Sequence, residues 1–121
     1  MFGTFLKSRL ATGPVVFLAD SGAATTTLSG TDAQRLELDY SRLKDSGYVV
    51  GVGGRAKVYA LKDVLITFRR LDKELHYEHL DCIDVLARPA KRGQVLPSLL
   101  GVDILHKYRL SFKGKHCFLD T

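Results

Sequence analysis

Apolar residues in this chain come in short runs rather than long helical stripes. Val15-Val16-Phe17-Leu18-Ala19 is uninterrupted, the pattern of a strand buried on both faces. Thr25-Thr26-Thr27-Leu28-Ser29 continues in β-branched residues that favour extended backbone. Thr31-Asp32-Ala33-Gln34 has the form of a capping box, with Thr31 as N-cap and Gln34 reaching back, and predicts a short helix through Arg35-Leu36-Glu37. Tyr48-Val49-Val50 and the stretch from Arg55 to Leu61 flank the glycines Gly51, Gly53 and Gly54. In the second arm Ala56, Val58 and Ala60 alternate with Arg55, Lys57 and Tyr59, so a hairpin with a glycine tip is expected.

Further along, Val64 to Phe68 reads as another strand. His76 to Leu86 carries Ile83, Val85 and Ala87 at strand spacing. Lys91-Arg92-Gly93-Gln94 reads as a loop, and Leu99-Leu100 as a short buried strand closed by Gly101. Asp103 to Tyr108 predicts one or two helical turns. Tyr108 to Phe112 and His116 to Leu119 form terminal strands around a turn at Lys113-Gly114. Many short strands, glycine-rich turns and little helix predict an all-β, single-domain closed barrel with one or two short helices.

Composition adds bounds. At 121 residues the chain suits one domain with its own core. Hydrophobic content of 45% and charged content of 26% are those of an ordinary globular protein. The net charge of +5 gathers late, at Arg88, Lys91, Arg92, Lys107, Arg109, Lys113 and Lys115, with Asp103 the only acid among them. Aromatic residues do not interleave with these cations as they do where bases stack, so a solvated face is expected rather than a nucleic-acid site. No apolar stretch is long enough to span a bilayer. The opening MFGTFLKSRLATGP lacks an apolar signal core and is broken by Pro14. A soluble cytoplasmic protein is the expectation, or the soluble part of an anchored one. Cys82 and Cys117 are too few for a disulfide framework and read as reduced thiols. His76 and His79, at strand spacing, would point to opposite faces, so neither a zinc site nor any cofactor is expected.

The chemistry concentrates at Asp20-Ser21-Gly22-Ala23, directly after the apolar run. Alone, such a tripeptide is an Asx-turn. After a strand, with an alanine and threonines following, it suits a tight loop that carries a carboxylate into a cleft. Two more motifs follow in order: Gly51-Val52-Gly53-Gly54, and Leu99-Leu100-Gly101 leading into Val102-Asp103-Ile104-Leu105. Together they resemble the retropepsin-like (retroviral-type, clan AA) aspartic proteases over almost the whole chain.

That resemblance implies a symmetric homodimer with Asp20 as catalytic residue. The Ser21 hydroxyl would hold the two loops together across the dimer, and Gly22 would bring backbone close to the carboxylates and substrate. Ala23, Ala24, Leu100 and Val102 would edge the substrate cleft. The flap Gly51, Val52, Gly53 and Gly54 would close over an extended peptide, by strand addition. Pepstatin-type inhibitors would bind there. Carboxylate-driven peptide hydrolysis needs two such groups about 3 Å apart sharing one proton. The chain holds one such loop, and Asp103 reads as a helix N-terminal cap. The second carboxylate is therefore the Asp20 of a two-fold partner, with the axis at Asp20.

One departure stands out. Retroviral enzymes carry an acid directly after the alanine and an arginine directly after the glycine of the closing motif, and these pair. Here the positions are Ala24 and Val102, so no lone charge is left behind. Two other readings follow from the same residues: a dimeric module that binds peptides without cutting them, and a nucleic-acid-binding protein using the basic second half.

Overall fold

A computed structural model describes residues 2–51, 54–69, 74–87, 97–113 and 116–120. Phe2–Lys7 (β1) and Thr12–Ala19 (β2) form an antiparallel hairpin with alternating burial. Phe2, Leu6, Val15 and Phe17 face the core. Thr4 lies among them, and its hydroxyl donates to the Val15 carbonyl at 2.8 Å, which removes the cost of burying it. The five-residue apolar run is thus not buried on both faces: Val16 is 51% and Leu18 42% exposed. A strand in a barrel wall has one face to the core, and the pleat sends alternate side chains outward whatever their polarity.

Thr27–Leu28 (β3) is much shorter than the threonine run suggests. Gly30–Arg35 (α1) follows. Its N-cap is Ser29 rather than Thr31: the Ser29 Oγ accepts the Asp32 N–H at 3.1 Å. Ser29 is held in extended backbone because its own N–H donates to the Ser98 Oγ at 2.9 Å, from 69 residues away. The Ser98 hydroxyl in turn donates to Asp32 Oδ2 at 2.5 Å. The helix also ends early, at Arg35, with Leu36 as C-cap and Glu37 in the left-handed region.

After a 3-10 turn at Tyr40–Arg42, Lys44–Gly51 (β4) pairs with Gly54–Arg69 (β5) from Lys44↔Ala60 to Gly51↔Gly54. The expected hairpin is present, while Val52 and Gly53 lie outside the described residues. The two strands expected between Arg55 and Phe68 are one strand of 16 residues. Its buried set passes from Val58 and Ala60 to Leu61, Val64, Ile66 and Phe68. The switch falls at Lys62-Asp63, where Asp63 takes φ +54°, a conformation an Asp tolerates better than most residues. A crease there reads, in sequence, as a break between strands.

Leu75–Leu86 (β6) runs antiparallel to β5, and Ser98–Leu100 (β7) lies between β2 and β3. The loop expected at Lys91–Gln94 lies outside the described residues. The strand order β1-β2-β7-β3-β6-β5 closes because β5 also pairs with β1, so six strands make a barrel, with β4 attached outside on β5. Closure leaves few free edges, which suits a chain this rich in strand. Val102–Leu105 (α2) puts Ile104 into a core built on Phe17, Leu28, Leu61, Ile83 and Leu100. Arg109–Lys113 (β8) and His116–Asp120 (β9) form a separate two-stranded sheet, with Gly114 outside the described residues. Among the described residues no helix is long and apolar enough to cross a membrane.

Candidate active site

Asp20 leaves the end of β2 and begins a tight loop. Its N–H donates to the Leu100 carbonyl at 3.0 Å, which continues the parallel pairing of β2 with β7 by one more bond. Its own carbonyl accepts the Ala23 N–H at 3.1 Å, closing the turn. The Gly22 N–H donates to Asp20 Oδ1 at 2.9 Å and fixes the carboxylate against its own loop. A Cβ at position 22 would lie 3.1 Å from that oxygen, so glycine lets the backbone come this close.

The loop is bolted to the segment from Leu100 to Asp103. The Val102 N–H donates to the Ala23 carbonyl at 2.9 Å. The Gly101 N–H donates to Thr26 Oγ1 at 3.1 Å. The Thr26 hydroxyl donates to Asp103 Oδ1 at 2.7 Å and its N–H to Oδ2 at 2.9 Å. Asp103 is therefore not the helix N-cap. That position is Gly101, which makes no side-chain cap, while Asp103 sits inside the first turn of α2 and binds Thr26 directly before the neighbouring strand β3. One oxygen also accepts the N–H of Ile104, so some capping is retained. Gly101 is packed so closely that a Cβ would meet backbone atoms of Thr25, Ala23 and Thr26 at 2.6–2.8 Å.

The sequence-derived residues divide by position. Asp20 is half-buried, and Ser21, Gly22 and Ala24 are exposed around it. Val102 is 37% exposed and faces solvent beside the loop, where Ala23 is half-buried. Leu100 differs from the expectation. Its side chain is buried in the core, at 1% exposure, and only its carbonyl serves the Asp20 loop. Gly51 and Gly54 face each other at the end of the β4–β5 hairpin.

Two further residues, Thr26 and Asp84, carry little signal in residue order alone. Thr26 looked like one of three strand threonines, yet it is fully buried and joins the loop to α2. Asp84 looked like the polar member of an alternating strand. Register places it in a row across one face of the sheet, Leu18↔Leu99↔Thr27↔Asp84↔Ala60, the face on which Asp20 follows two residues after Leu18. Burial pushes the Asp84 carboxyl above the usual range, and the charge of Asp103 pushes it further. The signal available was an acid set between Ile83 and Val85.

A closed six-stranded barrel with an Asp-Ser-Gly loop braced against a Leu-Leu-Gly segment is the fold of a retropepsin-like aspartic protease. The family model "gag-polyprotein putative aspartyl protease" matches residues 7–107, and the chain belongs to that family. None of the curated proteins matches by sequence. Solved structures carry the same fold. A retropepsin-like aspartic protease from Rickettsia conorii aligns with a TM-score of 0.57 at 19% identity, over 98% of this chain and 88% of that one. EIAV protease complexed with the inhibitor HBY-793 gives 0.53 at 23% identity, over 87% and 85%. The retroviral protease-like domain of Ddi1 from Leishmania major gives 0.53 at 19% identity, over 100% and 89%.

Proposed function

We propose that this chain is one protomer of a homodimeric aspartic endopeptidase that hydrolyses an extended peptide between two Asp20 carboxylates. The observation that carries this reading is the fixed Asp20 carboxylate, held by the Gly22 N–H on a loop anchored to Leu100, Val102 and Asp103. One carboxylate of the pair takes a proton from water while the other protonates the scissile carbonyl, and two like charges this close share one proton. Leu18, Ala24 and Val102 leave apolar surface open around the loop, which supports coverage by a partner loop and a substrate. Ser21 is exposed, and its hydroxyl would bridge the two loops of the proposed dimer. Backbone of the Gly51–Gly54 hairpin end would pair with the peptide by strand addition, and a pepstatin-type inhibitor would occupy the same cleft.

The test is cleavage of a mixed peptide library between pH 4 and pH 8 by wild type and Asp20→Asn, read by mass spectrometry. Cleavage by wild type alone, with a bell-shaped pH profile on the acidic side, is expected. Cleavage that survives Asp20→Asn overturns the mechanism. Dimers of both proteins that bind a pepstatin-type inhibitor without turnover would make this a peptide-binding module.

A further inference from the structure

Away from the Asp20 loop lies a cavity of about 620 Å³ lined by Arg9, Leu10, Arg42, Lys44, Ala60, Leu61, Lys62 and Asp63. Its wall comes from three places in the chain. Arg9 and Leu10 sit on the β1–β2 turn. That turn is fixed by Ser8, whose hydroxyl donates to the Ala11 carbonyl at 2.8 Å and accepts the Ala11 N–H at 3.0 Å. Arg42 ends the 3-10 turn and Lys44 opens β4, registered opposite Ala60. Lys62 and Asp63 form the crease in β5, where Asp63 has φ +54°.

Four cations thus converge on one concavity with Asp63 as the acid in its lining. Asp63 is itself engaged, with His79 Nε2 at 3.6 Å from Oδ1. Among the described residues none of Arg9, Arg42, Lys44 and Lys62 has a carboxylate within 4.0 Å, as Lys57 and Lys107 have in Asp45 and Glu78, and Arg42 attracts Asp39 only from farther off. Lys44 is registered opposite Ala60, and Lys62 follows Ala60 by two residues on the same strand, which places both lysines on a common face. An excess of like charge gathered in a concave site raises its positive potential and favours an anion there. Four cations from three segments of the chain offer more donors than one tetrahedral anion uses, which suits a chain of phosphates. Two guanidinium forks and two ammonium groups are the donors that phosphate oxygens need.

We propose that this cavity is a polyphosphate-binding site, built on the barrel turn and the root of the β4–β5 hairpin. None of its lining residues belongs to the Asp20 loop, so the site does not depend on proteolytic activity.

The test is calorimetric titration of the chain with sodium tripolyphosphate and, separately, with ATP, both at low ionic strength without divalent cations. Saturable binding of one tripolyphosphate per chain is expected. The double variant Arg9→Gln/Lys62→Gln should weaken it by about tenfold or more, because charge-assisted bonds are lost. Lys107→Gln removes a charge elsewhere and should change it by less than about twofold. Equal affinity for ATP means that the phosphates alone are recognised. Tighter ATP binding adds the apolar floor at Leu10, Ala60 and Leu61. Binding of ATP but not of tripolyphosphate overturns the proposal. So does an absence of saturable binding to either, or an equal loss in Lys107→Gln and the double variant.

Discussion

Thr26 and Asp103 are joined by two hydrogen bonds, the hydroxyl to Oδ1 at 2.7 Å and the N–H to Oδ2 at 2.9 Å, across 77 positions of the chain. Thr26 is fully buried and also accepts from the Gly101 N–H. Thr26→Val keeps the shape and removes the hydroxyl, leaving the Gly101 donor without its acceptor. A loss of about 2 kcal/mol in urea unfolding is expected. Peptide cleavage should fall with it, because the Asp20 loop loses its brace. A variant as stable as wild type would show that the Thr26 hydroxyl does not hold the loop.

Gly101→Ala tests the packing beneath the same loop. The new methyl would meet three backbone atoms at 2.6–2.8 Å, and backbone cannot swing aside as a long side chain can. Destabilisation of about 3 kcal/mol or more is expected, read as a lowered thermal midpoint. Gly3→Ala is the comparison, since a Cβ there meets nothing within 4 Å.

Asp84 gives the fold a pH dependence of defined sign. Burial first, then the Asp103 charge, holds its carboxyl above the ordinary value of 3.8. Ionising it therefore opposes folding. That penalty is present in full above the native value, fades as pH falls, and is gone below the unfolded value. Asp84→Asn should be more stable than wild type at pH 7, with the gap closing as pH falls toward 3.8. Asp39 and Asp45 are shifted the other way, by bonds to Ser41 and to Gly47 and Lys57, so both proteins weaken together as pH falls below 3.8. The difference between the two urea midpoints isolates Asp84, and a pH-independent difference would refute its role.

The proposed sharing of the active site between two protomers predicts dominant interference. Wild type mixed with an equal amount of Asp20→Asn and allowed to exchange subunits should lose about half of its activity per wild-type chain, if partners assort randomly. Activity unchanged by the mutant would mean that one chain suffices.

Much of this was legible in residue order. Asp20 to Gly22 form a tight loop because an Asx-turn needs only a carboxylate and the N–H two residues on. The β4–β5 hairpin and β6 follow from alternation within one segment, and the terminal strand pair from the turn signal at Lys113-Gly114. The helix cap was not legible. Thr31 and Gln34 form a valid capping box locally, but Ser98 in β7 holds Ser29 extended and starts the helix two residues earlier.

Residue order settles what near neighbours along the chain decide: strands by their alternation, the carboxylate turn by its Asp and Gly, and the hairpin by its glycines. The assembled barrel settles which faces those strands bury, that β1 and β5 close it, that Leu100 enters the core, that Thr26 and Asp103 brace the Asp20 loop, and that Asp84 comes under the charge of Asp103. The physical reason is that each of these depends on a partner dozens of residues away. Such a partner is fixed only when register brings two strands side by side.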